Sequence, residues 1–203
     1  MKLKEYNVIA SAVRLDEIPP QYRKLPLLGR GATSLAFEKN ANTVLMFTRD
    51  NMKVEWLRNG LSMVRNQQIV HPVRWHHIPG MQKHDLIMIE MPKLYPLDAA
   101  NKSMVIKETN VFTRLMMDHR LNRLHKGSWQ TKLNKIIEDF AQLYPHSQIL
   151  PFLEWLLNYD PKHFFLDIGP RQFKQTSKGK IVLLDPVVAA DLFNLLLTKG
   201  KKQ

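Results

Sequence analysis

The stretch FFLDIGPRQFKQTSKGKIVLLDPVV, residues 164–188, places Asp167 at the end of one short apolar run and Asp185 at the end of another. A single aspartate at a strand end, just before glycine or proline, is a common turn former. Two of them on neighbouring short strands, after a helical segment, suit chemistry that needs one carboxylate to bind a metal and one to receive a proton.

Working outward, the composition bounds what such carboxylates can serve. The 203 residues are 44% hydrophobic and 24% charged, a globular mixture able to bury a core as one domain or one domain of two small lobes. Absence of cysteine excludes disulfide frameworks, thiolate metal sites and cysteine nucleophiles, and fits a reducing cytoplasm. The opening MKLKEYNVIASAVRLDEIPP is too charged for a signal peptide, and no run has the length of a membrane span, so no membrane partner is expected. A formal net charge of +12 attracts nucleic acid or acidic surfaces without specifying either.

The first half reads as mostly β. LPLLGRGATSLAFEKNANTVLMFTRD gives a glycine-containing loop at Gly29 and Gly31, then a hairpin whose arms SLAFE and TVLMF flank the turn KNAN. Asp50 is placed to N-cap a short helix with Val54, Leu57, Leu61 and Val64 at helical spacing. PVRWHHI and DLIMIEM read as two further strands, giving the order strand, strand, helix, strand, strand.

MPKLYPLD, residues 91–98, is too proline-rich to continue any element and marks a boundary, with an N-terminal lobe over residues 1–94 and a C-terminal lobe over 95–203. Beyond it come helical patterns: SMVIKETNVFTRLMM, a segment RLNRLHK set off by a break near Asp118, SWQTKLNKIIEDFAQLY with Ser128 as N-cap, and PFLEWLLNY with Pro151 in its first turn. Trp56, Trp75, Trp129 and Trp155 read as packing residues. His76 with His77, and His119 with His125, lack the spacing of a zinc site.

A glycine loop in a β-rich lobe and two aspartates in a helical lobe together resemble the protein-kinase-like fold, most closely the short serine/threonine kinases encoded by bacteriophages. The resemblance covers about residues 28–188. Gly29, Gly31 and Ser34 match the family's Gly-x-Gly-x-x-Gly/Ser loop. Asp167 stands five residues before Gln172, where the family has its catalytic aspartate and a metal-binding asparagine. Asp185 and Pro186 match the metal-binding Asp-Pro of the phage relatives, and KGKIVLL resembles the hairpin that joins the two sites, with Gly179 as its turn.

The resemblance implies an α+β, two-lobed fold, with a small β-rich N-lobe carrying one helix and a reduced, mostly helical C-lobe. It implies ATP and Mg2+ as cofactors, Asp167 as base, Asp185 and Gln172 as metal ligands, Glu55 on the helix after the third strand, and Glu90 and Met91 beside adenine. It further implies host bacterial proteins as substrates, in the host cytoplasm.

Four positions depart from the family. Met46 occupies the place of the phosphate-gripping lysine, with Lys39, Arg49 and Lys53 as candidates to replace it. Gln172 is longer than asparagine by a methylene, Pro92 lacks an N–H where the hinge donates one, and only VVAADLFNLLLTKGKKQ follows Asp185-Pro186. Two alternatives therefore stand beside an active kinase. One is a pseudokinase acting by binding a host protein. The other is a nucleic-acid-binding protein using Arg120, Arg123 and Lys126 opposite Met117, Leu121 and Leu124.

Overall fold

The computed structural model describes residues 13–60, 75–77, 86–119, 121 and 126–194. They form an α+β protein that divides into two compact units. One contains residues 1–55, 68–93 and 188–203; the other contains 56–67 and 94–187. One cut falls between Lys93 and Leu94, while the residues after Glu55 and those after Val187 change unit.

The first unit is built on a five-stranded antiparallel sheet in the order β1-β2-β3-β5-β4. Its strands are β1 (Leu27–Arg30), β2 (Ser34–Asn40), β3 (Thr43–Thr48), β4 (Trp75–His77) and β5 (Ile87–Pro92). The glycine stretch expected to be a loop is thus largely a strand. Gly29 pairs with Ala36 across an irregularity that falls between Leu27 and Gly29. The β-prone sequence of its partner gives β1 a ladder to join, which local composition does not reveal.

Alternation in β2 and β3 sends Leu35, Phe37, Leu45 and Phe47 to one face, where they are buried with Met88 and Leu86. Val13, Ile18, Tyr22 and Leu25, from the segment around helix α1 (Pro20–Arg23), cover that face. Phe47 meets Phe37 edge-on and Tyr22 at a tilt. A slip of one residue would expose this whole set, so the apolar alternation fixes the register. The opposite face of β2 and β3 carries Ser34, Ala36, Val44, Met46 and Thr48.

Helix α2 (Asn51–Glu55) follows β3 and runs into a π-helical turn, Trp56–Gly60. Asp50 caps it as expected, its Oδ1 accepting from the N–H groups of Met52 and Lys53 at 3.1 and 3.2 Å. The expected apolar positions Leu61 and Val64 lie outside the described residues. Val54 is only half-buried, whereas Met52 and Lys53 are buried.

The second unit is mostly helical. Helix α3 (Ala99–Asp118) is capped by Asp98, whose Oδ1 accepts from Asn101 N at 2.8 Å, and it ends at the break expected near Asp118. Helix α4 (Lys126–Leu143) starts before Ser128, so Ser128 lies inside the helix and is not its N-cap. Phe112 of α3 meets Phe140 of α4 edge-on. Helix α5 (Ile149–Leu156) buries Ile149, Phe152, Leu153, Trp155 and Leu156, and Pro151 sits in its first turn, where a missing N–H costs little. Trp56, Trp129 and Trp155 are buried as expected; the side chain of Trp75 lies outside the described residues.

Short strands β6 (Phe164–Leu166), β7 (Phe173–Gln175), β8 (Ile181–Leu183) and β9 (Val187–Ala189) complete the order. β7 and β8 form the expected hairpin, in the register Phe173↔Leu183, Lys174↔Val182, Gln175↔Ile181.

Candidate functional site

The turn of the β7–β8 hairpin is what brings the two aspartates' loops together. Gly179 adopts φ 77°, a left-handed conformation that glycine accepts without steric cost. Thr176 N donates to Lys180 O at 2.9 Å and closes the loop. One residue before the hairpin, the Gln172 carbonyl accepts from Leu184 N at 2.8 Å. The residue after Leu184 is Asp185, so the ladder fixes where that carboxylate leaves the hairpin.

The second tie comes from the strand before it. Asp167 N donates to Pro186 O at 2.8 Å, which joins the end of β6 to the Asp185-Pro186 segment. Trp56 adds a third, its Nε1 donating to Leu183 O at 3.0 Å while its ring packs edge-on against Phe152 and Trp155. Asp167, Gln172 and Asp185, some of them eighteen residues apart in sequence, are thereby held on adjoining loops of one unit.

Side chains complete the cluster. Gln172 is buried and donates through Nε2 to Asp167 Oδ2, while Arg171 Nη2 lies 3.0 and 2.9 Å from the two Asp167 oxygens. Arg171 went unnoticed in the sequence, although its i, i+4 relation to Asp167 is legible there. Its side chain is 59% exposed and that of Asp167 is 32% exposed, so the pair is solvent-screened and exchangeable. Asp185 is half-buried. Asp185 and the Gln172 amide oxygen are hard donors of the kind Mg2+ takes together with water and phosphate oxygens. Among the described residues no three His, Asp or Glu side chains form a cage, and a magnesium ion carried by phosphates needs none.

In the sheet unit the glycine stretch closes as a tight turn, with Gly31 N donating to Ser34 O at 2.8 Å. A Cβ at Gly29 would meet nothing within 4 Å, and one at Gly31 would make an ordinary contact with Ser34 O. The fold therefore leaves the backbone at both positions open to close approach from outside.

Behind this turn lies a buried polar network. Lys53 Nζ donates to Ser34 Oγ at 2.7 Å and to Thr33 Oγ1 at 3.2 Å. Ser34 Oγ donates to Thr48 Oγ1, which in turn donates to Thr33 O at 2.9 Å. Asp50 closes the far end, its Oδ1 also accepting from Ala189 N at 3.1 Å. Lys53 sits on the buried side of a short helix, a place where lysine is uncommon.

Met46 is buried in β3, paired with Ala36 and Ile89. Glu55 ends α2 and is half-buried. Glu90 and Met91 lie within β5, paired with Leu45 and Val44, and Pro92 pairs with Thr43. The Glu90 carboxylate takes Lys39 Nζ at 2.8 Å, and Arg49 pairs with Glu17 at 3.2 Å. Lys53 bonds through its ammonium to Thr33 and Ser34, and Arg49 donates through its main-chain N–H to Thr33 O at 3.2 Å.

Glu108 of α3 is buried and accepts from Ser147 Oγ at 2.7 Å; burial pushes its carboxyl above the ordinary range, and the hydroxyl offsets part of the rise. The basic stripe considered for nucleic acid is mostly beyond view, since Arg120 and Arg123 lie outside the described residues. Leu121 is buried, but Met117 is 69% exposed, so the apolar stripe does not continue through it. No helix among the described residues is long and apolar enough to cross a membrane. No protein-family model, no curated protein and no solved structure matches this chain.

Proposed function

We propose that this chain is a two-lobed, kinase-like phosphotransferase that uses ATP and Mg2+ to phosphorylate hydroxyl groups of host bacterial proteins. The observation that carries the reading is the tie of Asp167, Gln172 and Asp185 within one unit, through Asp167 N to Pro186 O and Leu184 N to Gln172 O. Phosphoryl transfer asks little covalent chemistry of a protein and much positioning, with one carboxylate at the nucleophile and one at the metal. The reading is further supported by the glycine turn next to β2, by Met46 on the third strand of the sheet and by Glu55 on the helix after it.

In this reading Asp167 orients the acceptor hydroxyl and takes its proton, while Gln172 holds Asp167 in place. Asp185 and the Gln172 amide oxygen would hold Mg2+, which would supply charge neutralisation for phosphoryl transfer. Arg171 leaves Asp167 when the acceptor arrives, at small cost for an exposed pair.

Met46 supports a second reading, a binding protein without transfer, because a buried methionine supplies no charge at its strand position. The deciding experiment is transfer of radiolabelled γ-phosphate to bacterial lysate proteins with Mg2+, using the intact chain and Asp167→Ala. Label that disappears in Asp167→Ala supports transfer. Label absent from both proteins, with retained nucleotide binding, supports the second reading.

A further inference from the structure

We propose that the cavity lined by Arg14, Arg23 and Arg30 binds an acidic polypeptide, laid in extended form along the open edge of β1. This surface lies on the face of the sheet away from Met46 and is independent of the phosphotransferase reading.

Strand pairing decides where Arg30 projects. Arg30 is the cross-strand partner of Leu35, and such partners point to the same face. Leu35 is buried in one cluster with Val13 and Ile18, so Arg30 leaves β1 toward the segment that carries Arg14 and Arg23. Met46, paired with Ala36, projects to the opposite face. Val13, Leu15 and Asp16 complete the wall of a cavity of about 450 Å³.

The charge on that wall is only partly compensated. Among the described residues neither Arg23 nor Arg30 forms an ion pair. Arg23 donates through Nε to Ile18 O and through Nη2 to Asp16 O at 2.7 Å, bonds to neutral carbonyls that fix its fork and leave its charge unmatched. Arg14 takes the Asp16 carboxylate, but both side chains are largely exposed, so that pair exchanges at small cost. Glu17 is already held by Arg49 and by the Arg14 N–H. The surplus is therefore positive, and guanidinium forks match carboxylate oxygens.

β1 supplies what the arginines lack. It is the end strand of the sheet, pairs with β2 alone among the described residues, and exposes all four of its residues. Such an edge offers alternate main-chain N–H and C=O groups to an incoming extended chain. Leu27 and Leu28, with Leu15 at the cavity, add exposed apolar surface. A nucleic acid would answer the arginines and leave the leucines and the main-chain row unused, whereas an acidic polypeptide with apolar residues engages all three.

The test uses fluorescence anisotropy with a labelled peptide of alternating glutamate and valine. Controls are the same peptide with glutamine for glutamate, and forms methylated on alternate main-chain nitrogens in either register. Arg30→Gln removes a charge without touching the turn that Arg23 fastens, and is expected to weaken the glutamate peptide by about tenfold, the worth of a hydrogen bond to a charged group. Arg23→Gln is expected to do the same; if it does not fold, Arg30→Gln, on an exposed strand, decides. Asp16→Asn releases Arg14 and is expected to tighten binding by up to about fivefold, a gain that a purely structural role would not give. The glutamine peptide is expected to bind about tenfold or more weakly, and methylation in one register to weaken the glutamate peptide by removing its main-chain donors. Equal binding of both methylated forms and the unmodified peptide overturns pairing along β1. Absence of glutamate-peptide binding, or equal affinity in the intact protein and Arg30→Gln, overturns the proposal. Tighter binding of single-stranded oligothymidylate than of the glutamate peptide overturns the choice of a polypeptide.

Discussion

The main-chain N–H of Asp167 donates to the carbonyl of Pro186 at 2.8 Å, so the backbone itself ties the loop of the first aspartate to the residue that follows the second. Because the tie is made by main-chain atoms, either carboxylate can be altered without cutting it. Asp185→Asn is expected to keep its thermal transition and to lose the magnesium-dependent part of nucleotide affinity, by about tenfold or more. Titration of ADP with and without Mg2+ checks this; an unchanged magnesium effect would remove Asp185 from the proposed metal-binding role.

Arg171 covers both oxygens of Asp167 from an exposed position. An exposed pair of this kind is worth at most about 1 kcal/mol, so Arg171→Ala is expected to leave stability nearly unchanged. With no pair to break before the hydroxyl is engaged, phosphotransfer is expected to rise by up to about fivefold. A rate that falls instead would show that Arg171 contacts the substrate productively.

Trp56 fixes the strand that leads to Asp185 through its Nε1 bond to Leu183 O. Trp56→Phe removes the donor and leaves a buried carbonyl short of a partner, at a cost of about 1 to 3 kcal/mol. Trp56→Ala adds the loss of ring contacts with Phe152 and Trp155 and is expected to cost about 3 to 5 kcal/mol. Urea unfolding of the two variants separates the terms, and unchanged stability of Trp56→Phe would show that the hydrogen bond contributes nothing.

Glu108 gives the helical unit one source of pH-dependent stability. Its folded pKa is raised above the ordinary 4.5 by burial, so the folded state keeps the proton at pH values where the unfolded chain has lost it. Stability from this group is therefore full below about pH 4.5 and is lost as pH rises through the raised folded value. Glu108→Gln keeps an acceptor for Ser147 Oγ and cannot ionise, so it is expected to be more stable than the parent at neutral pH and to lack this slope. Thermal melts across the acid range would show it; parallel curves for the two proteins would rule the carboxyl out as the source.

Features set by near neighbours in the chain were legible before any fold was known. Alternating Leu35 and Phe37, Leu45 and Phe47 specify a sheet with one buried face, because side chains on a strand repeat every two residues. Asp50 before α2, the break at Asp118 and the turn at Gly179 were legible because caps, helix ends and left-handed turns are set within a few residues. The five-residue spacing of Asp167 and Gln172 was legible, but the hydrogen bond between their side chains was not.

Features set by long-range contacts were not legible in that way. β1 is a strand because β2 offers it a ladder, and Ser128 lies inside α4 because that helix extends to Lys126. The burial of Lys53 was invisible for the same reason. A lysine on a short helix reads as solvated until Thr33 of the turn and Ser34 and Thr48 of the strands are seen around it, and the placement of those strands depends on pairings with residues distant along the chain.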